Sequence, residues 1–389
     1  MSHQIRILPI IVISQFCCTS LWFAGNAVMT DLVANFHLPD TSLGHLTSAV
    51  QIGFITGTLV FALFTVSDRI SASRVFLVCA IAGAFFNLAI ILQGNNLATL
   101  FALRVMTGFF LAGIYPVGMK IASDYYQQGL GKSLGYLVGA LVLGTAFPHL
   151  LKGSAGSVPW TYFVVATSLL AILGGMLIFL FVPDGPYRQA SKGPDLTAFL
   201  KVFKERTFRS VAFGYFGHMW ELYAFWAFVP LMLVTYQSNH PEVVMNVPLL
   251  SFIIIGIGGL ACVGGGYLSS YMGTKKTAAC ALFLSGACCV LSPLVLLATS
   301  TLVFFIFMLV WGIVVIADSP LFSTLVAKYS PPDSKGTALT IVNCLGFAIT
   351  IVSIQLLTQL NVIVNPNYLY LPLAFGPLVG LIALFPRNG

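Results

Sequence analysis

The stretch GHMWELYAFWAFVPLML, residues 217–233, lies inside an apolar run that extends from about residue 209 to residue 236. About 20 apolar residues are enough for a helix to cross the ~30 Å hydrocarbon core of a bilayer. This run nevertheless carries two ionisable side chains, His218 and Glu221, three positions apart. The stretch therefore predicts a transmembrane helix with a polar face that has a function.

The composition extends this interpretation to the whole chain. Of the 389 residues, 58% are hydrophobic and only 7% are charged, whereas about 25% are charged in soluble domains. In lipid, backbone polar groups must pair within the protein, so the apolar runs are predicted to be helices. They lack the alternation of a transmembrane barrel. We predict an all-α membrane protein with twelve transmembrane helices, at about 7–30, 43–66, 74–93, 98–121, 132–151, 159–182, 209–236, 247–270, 275–297, 301–325, 335–360 and 365–386.

One long polar connection divides these spans six and six. We predict an N-terminal six-helix bundle over residues 1–182, a cytoplasmic linker over 183–208 and a C-terminal six-helix bundle over 209–389. The first apolar run is interpreted as a retained helix rather than a cleaved signal peptide, because its apolar part is long and further spans follow.

The basic residues support this count. With the N-terminus in the cytoplasm, every one of the 18 Lys and Arg residues except Arg104 and Lys152 falls at a cytoplasmic segment, as the positive-inside rule requires. The net charge of +7 is thus an orientation signal and does not indicate nucleic-acid binding. We expect an inner (plasma) membrane protein with both termini in the cytoplasm and a monomeric state.

The eight cysteines all lie in apolar runs, and none is spaced as CxxC. They are interpreted as small buried hydrophobes, so that no metal and no cofactor is expected.

Two connections at equivalent places in the two halves are similar. SDRISASR (67–74) joins the second and third spans, and GYLSSYMGTKK (266–276) joins the eighth and ninth. Both are short and basic, and weak internal symmetry of this kind is typical of secondary transporters.

These motifs resemble the signature of the major facilitator superfamily, and the resemblance covers nearly all of the chain. The first copy keeps the acidic and basic positions without the glycines, and the second keeps glycines and basic residues but has Ser270 in place of the acid. RVMTGFFLAG (104–113) resembles the family's Arg-x-x-x-Gly pattern, and GYLVGALVLGTAFP (135–148) resembles its glycine-rich antiporter helix, although Pro148 lies four residues after Gly144.

The resemblance implies two six-helix bundles with pseudo-twofold symmetry and a central cavity lined by the first, fourth, seventh and tenth helices. Polar residues share one face of each of these spans by helical spacing. The first span has Gln15, Thr19, Trp22 and Asn26, and the others carry Arg104, His218, Glu221 and Asp318. His149, in the fifth span, is the main ionisable residue outside them.

For proton coupling the candidates are Glu221, His218 and Asp318. A charge at mid-membrane costs about 2.5–3.5 kcal/mol on insertion scales, so that a glutamate exposed alternately to each side could load and release a proton. His218, one turn away, could share that proton or hold the Glu221 carboxylate. The alternatives are a static polar clamp for His218 and Glu221, and a helix-break cap for Asp318, which precedes Ser319 and Pro320.

For substrate binding, Arg104 could hold an anionic group of the cargo or pair with an acid such as Asp31. The further candidates are Trp22, Asn26, Gln51, Tyr115, Tyr223, Trp226, Trp311 and Asn343. The resemblance implies a cytoplasmic gate formed by Asp68, Arg69, Arg74, Lys275 and Lys276, although these charges could equally serve only as topology signals.

The predicted function is proton-coupled secondary active transport of a small organic solute by alternating access, with protons, the solute and the bilayer as partners. The alternative is uptake or release of a carboxylate-bearing metabolite or siderophore rather than efflux of drug-like compounds. An intramembrane lipid enzyme and a transport-like sensor are the other classes, but no HExxH and no Walker loop occurs in the sequence, and we predict that the protein is not an enzyme.

Overall fold

The computed structural model describes residues 2–126, 130–154, 158–188, 203–330 and 335–385. All regular structure in these ranges is helical, which confirms the predicted all-α class. Eleven helical segments within the described ranges are long and apolar enough to cross a membrane, and a shorter apolar helix covers Ile7–Thr19. The chain is divided into two compact units, Met1–Gly193 and Pro194–Gly389.

Unit 1 begins with a span that is shorter than expected. The helices of this unit are α1 (Ser2–Thr19), α2 (Ala24–Ala27), α3 (Met29–Phe36), α4 (Ser42–Leu63), α5 (Val66–Arg69), α6 (Ala72–Leu88), α7 (Leu97–Leu111), α8 (Tyr115–Tyr125), α9 (Leu130–Ser154) and α10 (Trp160–Phe181). The first predicted span is therefore α1 and α2 with a break between them, and the fourth is α7 and α8.

Unit 2 contains the longest helix of the described chain. Its helices are α11 (Arg206–Asn239), α12 (Val247–Met272), α13 (Thr274–Leu296), α14 (Thr301–Ala317), α15 (Ser319–Tyr329), α16 (Lys335–Ile363) and α17 (Phe375–Leu384), with short 3₁₀ helices at Pro366–Tyr368 and Leu371–Ala374 before α17. The tenth predicted span is thus α14 and α15, with Asp318 at the break.

Proline explains where the fourth and tenth spans are interrupted. Pro116 and Pro320 each occupy the second position of the helix that follows the break. Proline lacks the amide hydrogen that a continuous helix would use at this point, but it is well tolerated in the first turn of a new helix. In each span the first helix therefore ends before the proline, and a new helix begins with the proline in its first turn.

The two units use the same helix packing at these broken spans. A Cβ atom added at Gly108 on α7 would collide with the carbonyl oxygen of Val50 on α4, and one added at Gly312 on α14 would collide with the carbonyl oxygen of Ile254 on α12. The equivalent positions are the same distance apart in the sequence (108 to 312, and 50 to 254). Each unit thus brings two backbones into direct contact through one glycine, as small residues allow in membrane helices.

The N-terminal caps of α7 and α14 are separated by the same number of residues as the paired glycines. The side chain of Asn96 accepts a hydrogen bond from the backbone N–H of Thr99 at the start of α7, and the side chain of Ser300 accepts one from Val303 at the start of α14. Such caps satisfy amide groups that have no partner inside the helix. The fourth and tenth spans are therefore two copies of one structural unit, from cap to break.

Candidate functional site

Unit 2 gathers three titratable side chains in its interior. Glu221 and His218 lie on α11, and Asp318 lies at the break between α14 and α15. Each of the three is only 1% exposed. Because an isolated charge is expensive to bury, the contacts of each group determine what it can do.

The Glu221 carboxylate is held from two neighbouring helices. Trp311 on α14 donates its indole N–H to Glu221 Oε1 at 2.6 Å. Ser285 and Cys289, one turn apart on α13, also lie within interaction range of this carboxylate. A carboxylate can accept these donors while ionised and donate its own hydrogen when protonated, so the site accommodates both forms.

His218 is paired with Asp318. The Nδ1 atom of His218 lies 2.8 Å from Asp318 Oδ1, and its ring packs beside Tyr215 and Phe322, at 6.1 Å and 6.0 Å between ring centroids. Within the described ranges, His218 Nε2 has no hydrogen-bond partner. We expected His218 to act with Glu221, its neighbour on the same helix, but its partner comes from the break in the tenth span.

Further aromatic side chains pack together in the interior of unit 2. The rings of Phe225 and Trp311 are 4.8 Å apart, and Tyr223 lies 5.2 Å from both Trp226 and Phe347. Tyr223, Trp226 and Trp311 are all buried. The predicted aromatic substrate residues of unit 2 therefore belong to two groups: Trp311 lies beside Phe225 and contacts Glu221, and Tyr223 and Trp226 pack together with Phe347 on α16.

Asn343, the remaining predicted substrate residue of unit 2, lies on α16. It is half-buried and accepts a hydrogen bond from the Tyr215 hydroxyl at 3.0 Å. Since Tyr215 also packs beside His218, this contact connects α16 to the titratable cluster.

In unit 1, Arg104 lies at the break in the first span. Its Nη1 atom donates to the Leu21 carbonyl at 3.1 Å, and its Nη2 atom donates to the Trp22 carbonyl. A longer contact of 3.4 Å joins Nη1 to Asn87 Oδ1. Both carbonyls belong to the segment between α1 and α2, so the buried guanidinium supplies donors that a continuous helix would have provided.

The rest of the guanidinium is covered by Gly25. A Cβ atom at Gly25 would lie 3.4 Å from Arg104 Nε, an atom that lacks a hydrogen-bond partner in the described part of the chain. The acid that we considered as a partner, Asp31, instead lies 2.6 Å from Lys152 Nζ. The Arg104 guanidinium thus binds backbone carbonyls at the helix break rather than an acidic side chain.

The remaining predicted substrate residues of unit 1 lie around the same break. Asn26 on α2 donates to the Thr47 hydroxyl at 2.8 Å, and the Trp22 ring lies 4.9 Å from the Phe54 ring. Gln51 is buried on α4 between these two contacts. Tyr115 is half-buried at the first position of α8, beyond the break in the fourth span.

The break in the first span divides the predicted stripe of Gln15, Thr19, Trp22 and Asn26 into two parts. Gln15 and Thr19 lie on α1, whereas Trp22 and Asn26 lie after its end.

The predicted gate residues whose side chains the structure describes lie at or near the surface. Arg69 is exposed and donates to the nearby Thr65 hydroxyl at 3.1 Å, Arg74 and Lys276 are exposed, and the half-buried Lys275 lies over the Phe385 ring at 5.1 Å. The side chain of Asp68 lies outside what the structure describes.

A neighbouring cluster, which the sequence analysis did not identify, is better connected. Ser71 donates to Asp184 Oδ1 at 2.8 Å, and Arg188 bonds both to Asp184 Oδ2 at 2.5 Å and to the Ile70 carbonyl at 3.1 Å. Tyr125 donates its hydroxyl hydrogen to the Pro183 carbonyl at 2.6 Å. The segment after α10 is thus fixed to the loop between α5 and α6. No sequence motif marks this cluster, because its contacts between the two segments join residues 58 to 118 positions apart.

No group of three or more His, Cys, Asp or Glu side chains that could hold a metal ion occurs within the ranges that the structure describes.

A many-helix membrane fold with buried ionisable side chains and broken spans is the architecture of a secondary transporter. The model of the Major Facilitator Superfamily matches residues 11–354. The chain therefore belongs to this superfamily of transporters, as its sequence motifs suggested, and it is a multi-pass integral membrane protein rather than an enzyme.

Similarity to individual proteins is distant. The chain is 25% identical over 180 residues to the putative transporter AraJ of Escherichia coli (strain K12), a match that spans 44% of this chain and 43% of AraJ.

Solved structures that resemble the chain include a variant of the nucleoside transporter NupG, with a TM-score of 0.74, 15% identity and 97% and 99% of the two chains covered. The human organic anion transporter MFSD10 (TETRAN) has a TM-score of 0.73 at 15% identity over 98% and 99%. An inward-facing bacterial homologue of the human lysosomal transporter Spinster has 0.69 at 15% over 98% and 95%. At this identity the likeness concerns the fold alone.

Proposed function

We propose that the protein is a proton-coupled secondary active transporter, which moves a small organic solute across an inner (plasma) membrane by alternating access. The observation that carries this proposal is the buried set of Glu221, His218 and Asp318, which joins α11 to the break between α14 and α15. We further propose that the chain acts as a monomer with both termini in the cytoplasm.

Proton binding would change the contacts of α11 in two ways. A protonated Glu221 is a weaker acceptor for the Trp311 indole than the carboxylate is, since charge-assisted hydrogen bonds are the stronger ones. A proton shared between His218 and Asp318 makes either an ion pair or a neutral pair. The preferred position of α11 against α14 and α15 therefore depends on proton occupancy, and that dependence is what couples proton movement to a conformational change.

Cargo contact in unit 2 is assigned to the aromatic side chains of Tyr223, Trp226 and Trp311 and to Asn343. Flat aromatic rings offer large apolar contact area for an organic solute. Because Trp311 also donates to Glu221, cargo that displaces this indole would alter the environment of the carboxylate. The proposal thus places substrate and proton next to each other.

In unit 1 we assign Arg104 a positioning role. Its two Nη atoms are occupied by backbone carbonyls, so a carboxylate-bearing cargo would have to break these bonds to reach the guanidinium. This observation disfavours the alternative of a carboxylate-bearing metabolite or siderophore.

At the cytoplasmic side, the gate is proposed to include the Ser71–Asp184–Arg188 cluster together with Arg69, Arg74, Lys275 and Lys276. Asp184 and Arg188 belong to the connection after α10 and hold the loop before α6. Contacts of this kind are exposed, and exposed ion pairs contribute at most about 1 kcal/mol. The contacts of the proposed gate can therefore break and re-form at a small cost in free energy.

The test is proton movement in proteoliposomes that contain a trapped pH-sensitive dye. A panel of organic solutes is added with and without an imposed pH gradient, and dye fluorescence reports solute-dependent proton flow. We expect the wild-type protein to show such flow for its cargo, and Glu221→Gln to abolish it.

The matched control is Glu205→Gln, which makes the same change at the exposed residue that precedes α11. It is expected to retain proton flow. Normal flow in Glu221→Gln across the pH range would contradict the coupling role, and the sign of the flow distinguishes uptake from export.

A further inference from the structure

Several buried polar atoms of unit 1 have no hydrogen-bond partner among the residues that the structure describes. They include both amide atoms of Gln15 and of Gln51, the hydroxyl of Thr145 and the Nε2 atom of His149. The four side chains are at most 2% exposed. More than nine in ten buried polar groups of proteins are paired, so these four need an explanation that packing does not give.

Three of these side chains lie on α4 and α9, two helices that pack against the break in the first span. On α4, Gln51 lies four residues after Thr47, which contacts Asn26, and three residues before Phe54, which contacts Trp22. These spacings place all three on one face of the helix. Gln51 is therefore directed at the segment between α1 and α2.

The second of these helices is α9. Thr145, His149 and Lys152 follow the helical spacing of four and three residues, and Lys152 contacts Asp31 on α3. The residue beside Thr145, Gly144, packs directly against Thr19 at the end of α1. Thr145 and His149 therefore lie on the face of α9 that is turned to the same break. Gln15 lies one turn before the break on α1, with its amide oxygen against Gly118 on α8.

The charged groups at the break are already engaged. Arg104 is bonded to the Leu21 and Trp22 carbonyls, and Asp31 is paired with Lys152. The groups without partners are two primary amides, a hydroxyl and an imidazole. In their neutral forms all of them both donate and accept hydrogen bonds. This set of groups matches an uncharged partner that carries donors and acceptors of its own.

We propose that Gln51, Thr145 and His149, with Gln15 behind them, form a hydrogen-bonding subsite for an uncharged, hydroxyl- or amide-bearing organic solute. The inference rests on the proposed transport function and specifies the class of its cargo. An ionic cargo would be buried here without a free counter-charge, which is costly, and a site built to hydrogen-bond its substrate discriminates strongly against compounds that cannot do so.

The test is binding to the full chain in lipid nanodiscs, without a pH gradient. The probes are uridine and D-xylose as uncharged hydrogen-bonding solutes, tetraphenylphosphonium as an organic cation and benzoate as an organic anion. Ligand-dependent shifts of the melting temperature give the affinities. We expect uridine or D-xylose to bind the wild-type protein, and Gln51→Leu and Thr145→Val each to weaken that binding about tenfold, as the loss of one hydrogen bond does.

The matched control is Thr56→Val on α4. Its hydroxyl is exposed and donates to the Ile52 carbonyl at 2.9 Å, so this change is expected to leave the affinities as they are. A second readout is the melting temperature without ligand. Gln51→Leu removes unpaired buried groups and is expected to melt no lower than the wild-type protein.

Three results would overturn the inference. The first is that neither uncharged probe binds. The second is that tetraphenylphosphonium or benzoate binds instead, or that uridine and D-xylose bind the two variants as tightly as the wild-type protein. The third is that unliganded Gln51→Leu melts markedly lower, which would make the amide a structural group.

Failure of proton coupling gives a different pattern. In that case, solute binding would still depend on Gln51, while Glu221→Gln and the wild-type protein would move protons equally.

Discussion

Single side chains in this protein replace contacts that the backbone has lost. Arg104 is the clearest case, since it is buried and donates to two carbonyls at the end of α1. Trp311 has a comparable place in unit 2, where its indole donates to a buried carboxylate. In each case one side-chain donor serves a buried acceptor, a backbone carbonyl or a carboxylate. Substitutions that remove the donor but keep most of the side chain therefore test the role of that hydrogen bond.

Replacing Arg104 by methionine should destabilise the protein. The change keeps a long apolar side chain but leaves the Leu21 and Trp22 carbonyls without donors, and hydrogen bonds to charged groups contribute about 1.5–3 kcal/mol each. A lower melting temperature of the purified variant would show this loss. Arg69→Met, at an exposed position, provides the comparison and should melt like the wild-type protein. Unchanged stability of Arg104→Met together with loss of transport would instead assign the guanidinium to cargo binding.

Trp311→Phe should change the pH dependence of transport. An aromatic ring remains, but the Glu221 carboxylate loses the indole N–H that contacts it, a charge-assisted hydrogen bond that only the ionised form makes at full strength. Flux measured over a series of pH values is the readout. Trp220→Phe serves as the control, because the Trp220 indole donates to the Pro372 carbonyl at 3.1 Å and not to a titratable group. Identical profiles for both variants would contradict the role of Trp311.

Spacing along one helix was sufficient to identify the candidate side chains but not their partners. His218 and Glu221 share a face of α11, and both lie in the interior as expected. The choice of Asp318 for His218, and of Trp311 for Glu221, depends on how α14 rotates against α11. Helical periodicity within a single sequence contains no information about that rotation.

At the scale of elements, the breaks distinguish this fold from a bundle of straight helices. The apolar runs predicted the spans well, because length and hydropathy alone decide whether a helix can cross a bilayer. Pro320 had indicated the tenth-span break, whereas the first-span break was not expected. That break has no proline, and it is stabilised by Arg104 from a helix about 80 residues away.

Gly312→Ala should loosen or displace the α12–α14 contact. An added methyl group would collide with the Ile254 carbonyl, and overpacking of this kind costs about 1–3 kcal/mol. Thermal unfolding of the purified variant measures the effect. Gly264→Ala on α12, where nothing lies within 4 Å of the new atom, is the matched control. If both variants melt alike, the close approach at Gly312 is not a constraint.

On the scale of the whole molecule, most basic residues of the sequence lie in segments assigned to the cytoplasm, including the connection between the units. The positive-inside rule makes this a statement about orientation that can be tested without knowing the cargo.

Single cysteines at Ser191 and Ser157, introduced into a variant without its native cysteines, should label from opposite sides of the membrane. A membrane-impermeant maleimide applied to intact cells should modify the residue at 157, whereas the residue at 191 should react only after the cells are opened. Labelling of both positions in intact cells, or the reverse pattern, would contradict the assigned topology. The unlabelled cysteine-free parent protein gives the background.

The two copies of the cap-to-break unit differ at one decisive position. Counting from the paired glycines, the place of Asp318 in unit 2 is taken in unit 1 by Ile114, a hydrocarbon side chain. The helix break is therefore present in both units, but only unit 2 carries an ionisable side chain at this position. Under the proposed coupling, protonation would act directly on the break in unit 2 and not on its counterpart in unit 1. Position 114 is accordingly where an ionisable residue would have to be introduced to give unit 1 the same response.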